Sequence, residues 1–393
     1  MTGPGTTSAG PRRILNSRLD GIGTSIFAEM SALATATGAI NLGQGFPDTD
    51  GPAEIAEAAV RAIRDGRGNQ YPPARGVPEL RRAVSGHRQR HYGLSYDPDT
   101  EVLITAGATE AIAAAMLALL EPGDEVITFE PYYDSYAACI AMAGAVRVPV
   151  TLRAPSFRPD LAALRAAVTP RTRLLLLNSP HNPTGMVLNR GELAAIAELA
   201  VERDLLVVTD EVYEHLALDT EHLPLASFPG MRERTVSISS AGKTFSFTGW
   251  KVGWVTAPPE LVTAVLTAKQ YLTFAGGGPF QYAVAEALAL PESYFTAFRE
   301  DFRHRRDLLC EGLAAAGFEV FRPEGTYFVT TDAARLGAVD GMAFCRELAT
   351  GSGVVGIPNQ VFHDDPEAGR TQVRFAFCKR LPVLAEAVAR LKA

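Results

Sequence analysis

From residue 99 onward, short unbroken apolar runs alternate with segments whose apolar residues recur every three or four positions. Apolar runs without polar interruption predict strands covered on both faces. They fall at residues 101–105, 125–129, 145–149, 173–177, 205–209, 235–239 and 253–256, with helical periodicity at 108–120, 161–167 and 191–203. Strands alternating with helices predict an α/β fold, a large domain whose mostly parallel sheet is sandwiched by helices. Beyond Pro291 the pattern changes to a long polar helix at 294–316, strands at 318–321 and 326–330, an apolar strand around Arg374 and a closing helix from Pro382. These predict a smaller α+β domain. The expected division is a disordered tail at 1–15, too poor in apolar surface to order, a segment at 16–48 joining the small domain, a large domain at 49–290, and the small domain at 291–393.

With 393 residues, the chain can bury two cores. A hydrophobic content of 47%, 21% charged residues and a formal charge of −7 belong to a globular protein. The basic residues are scattered, which argues against nucleic acid and toward small-molecule substrates. No segment is apolar enough to span a bilayer, and residues 1–13 hold no apolar signal core, so a cytoplasmic protein without membrane contact is expected. The four cysteines, Cys139, Cys310, Cys345 and Cys378, lie far apart with no histidine at metal spacing, which predicts packed thiols and no metal.

The chemistry concentrates where predicted strands end. Ser240, Lys243 and Lys251 follow the strand at 235–239 among small residues. Desolvation or nearby positive charge turns a lysine amine into a nucleophile for an aldehyde, and a serine and a second lysine suit a phosphate. Aldehyde plus phosphate suggests pyridoxal phosphate. Gly107-Ala108-Thr109 opens a helix directly after a strand, where free N–H groups bind anions. Asn178 and Asn182 lie in a turn after the strand at 173–177, and Asn182 has an amide suited to a phenolic oxygen. Asp210, at the end of the next strand, serves either as a helix N-cap or as the partner of a pyridine nitrogen. Arg374, embedded in an apolar strand, needs an anion: a structural carboxylate or that of a substrate.

Taken in order, these segments resemble the fold-type I, class I/II pyridoxal-phosphate aminotransferases. The likeness runs from about Asn41 to Arg380, through residues 41–48, 69–73, 107–111 and 130–136. Within that family it is most similar to the kynurenine aminotransferase, glutamine transaminase K and cysteine-S-conjugate β-lyase group, with its bacterial succinyldiaminopimelate-aminotransferase-like branch. The resemblance implies transfer of an amino group between an L-amino acid and a 2-oxo acid. It makes Lys243 the Schiff-base lysine and proton carrier, sets Asp210 on the pyridine nitrogen, and places Asn182 and Tyr213 on the phenolic oxygen. It also implies that Tyr133 stacks on the ring, and that Gly107, Ala108, Thr109, Ser240 and Lys251 hold the phosphate with Tyr71 from a partner subunit. Gly43, Asn178 and Arg374 would bind the substrate carboxylate, and a homodimer follows.

Some positions depart from that group. Gly276, Gly277 and Gly278 stand where relatives carry an aromatic residue and a histidine, Tyr282 replaces a proline and Met186 a lysine. The glycines suggest room and mobility. Phe27, Phe46 and Phe274 are either pocket lining or ordinary core. The same cofactor residues also serve β- or γ-elimination, replacement or ring formation, and a regulator on this body would need a basic DNA-binding segment before Asn41.

Overall fold

The computed structural model describes residues 14–22 and 26–392. The disorder expected of residues 1–15 falls, apart from Ile14 and Leu15, outside the described residues. The strands in chain order are β1 (Ile40–Asn41), β2 (Val102–Thr105), β3 (Glu125–Glu130), β4 (Val146–Thr151), β5 (Thr172–Asn178), β6 (Leu206–Asp210), β7 (Thr235–Ser240), β8 (Gly253–Thr256), β9 (Glu319–Phe321), β10 (Phe328–Asp332), β11 (Val354–Val355), β12 (Ile357–Pro358) and β13 (Gln372–Ala376).

Seven of them form one sheet in the order β2-β8-β7-β6-β5-β3-β4. Pairing is parallel from β4 through β7 and antiparallel where β8 meets β7 and β2. The unbroken apolar strands have a direct physical cause. In β5, Leu174 and Leu176 enter one hydrophobic cluster, while Leu175 and Leu177 enter another on the opposite face. Period-two alternation thus feeds two cores from one run of leucines. Helices Gly107–Leu119, Ser135–Ala143 and Pro259–Lys269 cover the first face, and Leu161–Ala167 and Arg190–Glu202 the second.

The antiparallel sheet β12-β13-β10-β9 shares a core with helices Ile26–Thr37, Glu292–Ala315 and Leu381–Lys392. Here β1 pairs in parallel with β11, setting Ile40 beside Val354 and bringing an early segment against the last hundred residues. Among the described residues no helix is long and apolar enough to cross a membrane.

Candidate active site

Strands β5, β6 and β7 run parallel, and at their carboxyl ends opens a cavity of about 280 Å³, the position at which open α/β sheets bind ligands. Lys243 stands in its wall, carried by the one-turn helix Ala241–Thr244 directly after β7. Burial lowers the pKa of its amine; Cys378 and Asp210 oppose that shift, while Lys251 and Arg374 reinforce it. The result is more neutral, nucleophilic amine than an exposed lysine offers.

Asp210 ends β6 and is 4% exposed. Its Oδ2 accepts a 2.6 Å hydrogen bond from the Tyr136 hydroxyl, and its Oδ1 faces the Val212 N–H at 3.4 Å. Burial raises its pKa to about 6, against the pull of those two bonds and of Lys243. An ionised Asp210 therefore calls for a cation in the cavity. Tyr136 has no role assignable from the sequence, because it is 74 positions from Asp210. The phenol donates to the charged carboxylate and so favours ionisation. Tyr136→Phe is expected to raise the Asp210 midpoint above about 6 in the ligand-free protein, measured by carbon NMR titration. An unchanged or lower midpoint would show that the bond does not hold the charged form.

One end of the cavity is built for an anion. Gly107, at φ +78, starts helix Gly107–Leu119, and a Cβ there would lie 3.2 Å from Lys251 Nζ. A Cβ on Gly253 in neighbouring β8 would lie 2.8 Å from the Ala108 nitrogen. Both glycines thus let the helix start, β8 and the Lys251 amine approach one another. Ala108, Thr109, Ser240 and Lys251 all line the wall there, combining helix-terminal N–H groups, a hydroxyl and an ammonium. Lys251 holds a left-handed φ of 53°, backbone strain of the kind that clusters at functional sites.

Tyr133, Asn182 and Tyr213 line the same cavity. Burial raises both phenols, Tyr133 to about 12, so each keeps its O–H donor at neutral pH. Arg374 arrives from β13 and is 1% exposed. It donates from Nη2 to the Gly43 carbonyl at 3.0 Å and from Nη1 to Asn182 Oδ1 at 2.9 Å, while its Nε is buried without a partner. Phe328 lies 4.0 Å beneath the guanidinium. Among the described residues no carboxylate forms an ion pair with it, and burial lowers its pKa to about 10. A buried cation without a counter-ion is destabilising by several kcal/mol, so the site is suited to a ligand carboxylate.

Other residues named from the sequence are placed differently. Gly43 gives its carbonyl to Arg374 and its N–H to Asn41 Oδ1 but is not among the wall residues. Asn178 lines the wall with both ends of its amide engaged, donating to the Asp210 carbonyl and accepting from the Asn182 N–H. Tyr71 is 85% exposed, outside the wall, with its ring edge-on to Phe274. Phe27 and Phe46 stand in the wall; Phe274 does not. Gly277, at φ +65, caps helix Gly278–Leu288, and Gln281 Nε2 donates to the Gly276 carbonyl, so this run is tied to a helix start rather than looped free. Met186 is packed in the core and Tyr282 lies under Arg67.

A histidine cluster also escaped the sequence reading. His87, His91 and His215 bring ring nitrogens within 4.8 Å of one another, away from the cavity. His87 and His91, one turn apart on a helix, were its only local signal. His87 Nε2 meets His215 Nε2 at 2.7 Å, and Arg90 donates to His91 Nε2, so these nitrogens are engaged in hydrogen bonds.

A nucleophilic lysine, a buried aspartate, an anion cradle and a carboxylate clamp at the strand ends of this α/β sheet are the parts of an enzyme acting on an amino acid. The chain belongs to the class I and II aminotransferase family, whose family model matches residues 37–389. It is a transaminase, moving an amino group between an amino acid and a 2-oxo acid. Over 387 residues it is 55% identical to a probable N-succinyldiaminopimelate aminotransferase of Mycobacterium tuberculosis, covering 95% of this chain and 97% of that protein. It is also 40% identical to the methionine aminotransferase of Escherichia coli, covering 96% and 98%. The solved structure of an N-succinyldiaminopimelate aminotransferase from Mycobacterium tuberculosis superposes with a TM-score of 0.94, covering 96% of this chain and 99% of that one at 55% identity. The neighbouring structures carry the type I fold expected from the sequence.

Proposed function

We propose that this aminotransferase works with pyridoxal 5′-phosphate and takes amino donors with a bulky neutral, aromatic or long acylated side chain. The residues present fit the cofactor: the side-chain-free cradle at Gly107 and Gly253 with Lys251 against it suits a phosphate, and buried Asp210 suits a ring cation. The Ala108 and Thr109 N–H groups, Ser240 and Lys251 would hold the phosphate, with Tyr71 of a second copy completing it in a homodimer. Tyr133 would lie on the ring face, and Asn182 and Tyr213 would donate to the phenolic oxygen.

When bound, the cofactor supplies an aldehyde to carry the amino group and a ring that accepts the electron pair left at the substrate α-carbon. The chain's own residues do the rest. Arg374, braced by Gly43 and backed by Asn178 through Asn182, orients the substrate α-carboxylate. Lys243 Nζ would hold the cofactor and, as a neutral amine, would take the proton from the substrate α-carbon. Asp210 keeps the ring nitrogen protonated.

The substrate proposal rests on the wall cations. Among the described wall residues these are Lys243, Lys251 and Arg374, all assigned above, which leaves none for a distal carboxylate. Arg75 donates to the Thr100 carbonyl and lies outside the wall. The relative named for methionine supports the same direction. The test is kcat/KM for methionine, glutamine, phenylalanine, kynurenine, N-succinyldiaminopimelate and aspartate with a common oxo acid, with product identification. Aspartate is expected to trail the best donor by roughly tenfold or more, since pocket misfit is worth about 1–3 kcal/mol. Aspartate leading by tenfold, or ammonia in place of an amino product, would overturn the proposal.

A further inference from the structure

Directly behind the cavity lies a buried ionic cluster that transamination leaves without a role. Arg88, on helix Pro78–Tyr92, is 1% exposed; its Nη1 donates to Glu211 Oε2 at 2.8 Å and approaches Glu214 Oε2 at 3.5 Å. Glu211 Oε1 accepts from the Thr209 hydroxyl at 2.7 Å, and Glu214 Oε1 from the Ser239 hydroxyl at 2.5 Å. None of Arg88, Glu211, Glu214 and Ser239 lines the cavity, yet each of the last three is joined by a peptide bond to a residue that does. Glu211 follows Asp210, Glu214 follows Tyr213, and Ser239 precedes Ser240. Strand alternation accounts for Ser239 and Ser240 at the end of β7, where one side chain faces the cavity and its neighbour the opposite way, while Glu211 and Glu214 lie in the turn and 3-10 start that follow β6.

One guanidinium therefore holds, from behind, the chain at the ends of both β6 and β7. Arg88 and the two carboxylates lose their water on folding, and such groups are retained only when paired. Burial opposes the charged form of Glu211, but Arg88, His222 and Thr209 outweigh it and keep the carboxyl well below its usual range. The 2.7 Å contact of His87 with His215 ties the same helix to the same turn a second time.

We infer that Arg88 is a positioning residue for the cofactor: by clamping Glu211 and Glu214 it aims Asp210 and Tyr213, and through Ser239 it sets the turn bearing Ser240 and Lys243. This rests on the pyridoxal-phosphate reading above. Its reach follows from stiffness, because the clamped atoms are one residue from the ligand-facing ones and the backbone there is tied: Ser239 and Ser240 pair with β8, the Glu211 N–H donates to the Ile238 carbonyl, and the Glu214 N–H returns to the Glu211 carbonyl.

The test uses full-length protein stripped of cofactor and reloaded. Glu214→Gln keeps shape and an acceptor for Ser239 but removes the charge; Arg88→Met removes the clamp; Arg88→Lys restores a cation. The readouts are the pyridoxal-phosphate Kd by equilibrium dialysis, the midpoint of the visible-band pH titration, and the Tm of the cofactor-free protein. Glu214→Gln and Arg88→Met are expected to raise Kd fivefold or more and to move the midpoint, with Arg88→Lys recovering most of both. Leu199→Ala, a cavity in helix Arg190–Glu202, is the control that lowers Tm while Kd and midpoint stay within twofold. A lowered Tm with unchanged Kd and midpoint in Glu214→Gln would make the cluster structural only and overturn the inference, even if Arg88→Met does not fold. Wild-type protein that binds no pyridoxal phosphate would fail the cofactor reading itself, a result visible before any variant is compared.

Discussion

Lys243→Ala is expected to abolish turnover and the covalent, borohydride-reducible attachment of pyridoxal phosphate, while the protein still folds. The cause is local and chemical. A lysine attacks an aldehyde only as the free amine, and Lys243 is desolvated in the cavity wall with Lys251 and Arg374 further disfavouring its proton. Loss of the base from the α-carbon removes a contribution of about 10²–10⁴ in rate by itself, and loss of the attachment adds to it. The site holds its own control. Lys251 is the other lysine of the wall, but its amine lies against the start of helix Gly107–Leu119, where the proposed phosphate would sit. Lys251→Ala should therefore weaken cofactor affinity yet retain the reducible adduct. Mass spectrometry of the reduced protein decides: an adduct surviving in Lys243→Ala and lost in Lys251→Ala would reverse the two roles.

Asp210→Asn is expected to lower kcat by several orders of magnitude and, in the cofactor-free protein at neutral pH, to raise stability. The first effect follows from contact between a carboxylate and a ring cation, worth about 5 kcal/mol at an effective dielectric near 20; losing most of that from the transition state costs three or more decades. The second follows from the sign of the pKa shift. Burial raises Asp210 from 3.8 to about 6, so over that window the folded protein binds more protons than the unfolded chain. Stability then falls as pH rises through the window and stays at its lower level above it. Above it the ionised side chain destabilises the empty fold by on the order of 1–3 kcal/mol. Asparagine has no charge to bury and still accepts from Tyr136. Thermal unfolding of both cofactor-free proteins at pH 7.5 checks this, with kcat measured on the loaded enzymes. A mere helix cap would give near-normal kcat and an unchanged or lower Tm.

The seven-stranded sheet was readable because its signal is local. Alternate leucines in β5 feed two cores, so the strand must be an unbroken apolar run. Helix Pro78–Tyr92 escaped the same reading for the opposite reason: its inward face sets Arg81, His87 and Arg88 beside only two apolar residues, Leu80 and Val84. A helix that buries charges in ion pairs has its apolar stripe interrupted, and periodicity finds little. The glycine run suggested room and mobility because glycine permits both; the fold adds that Gly277 uses its left-handed backbone to start a helix.

The sequence by itself determined the reaction family and named most of the polar residues that line the cavity. Lys243, Asp210, Ser240 and the residues from Gly107 to Thr109 stand at strand ends or in the turn that follows. Strand period and helix start are properties of a few consecutive residues, legible without a fold. Tertiary structure decided how those groups are charged and braced. Tyr136 reaches Asp210 across 74 positions, Arg374 meets Asn182 across 192, and Arg88 meets Glu211 across 123. Desolvation and Coulomb interaction depend on distance in space, and no local pattern encodes which distant residue arrives. Tyr71 is the limiting case: exposed on one chain, its proposed role is completed only by a second copy.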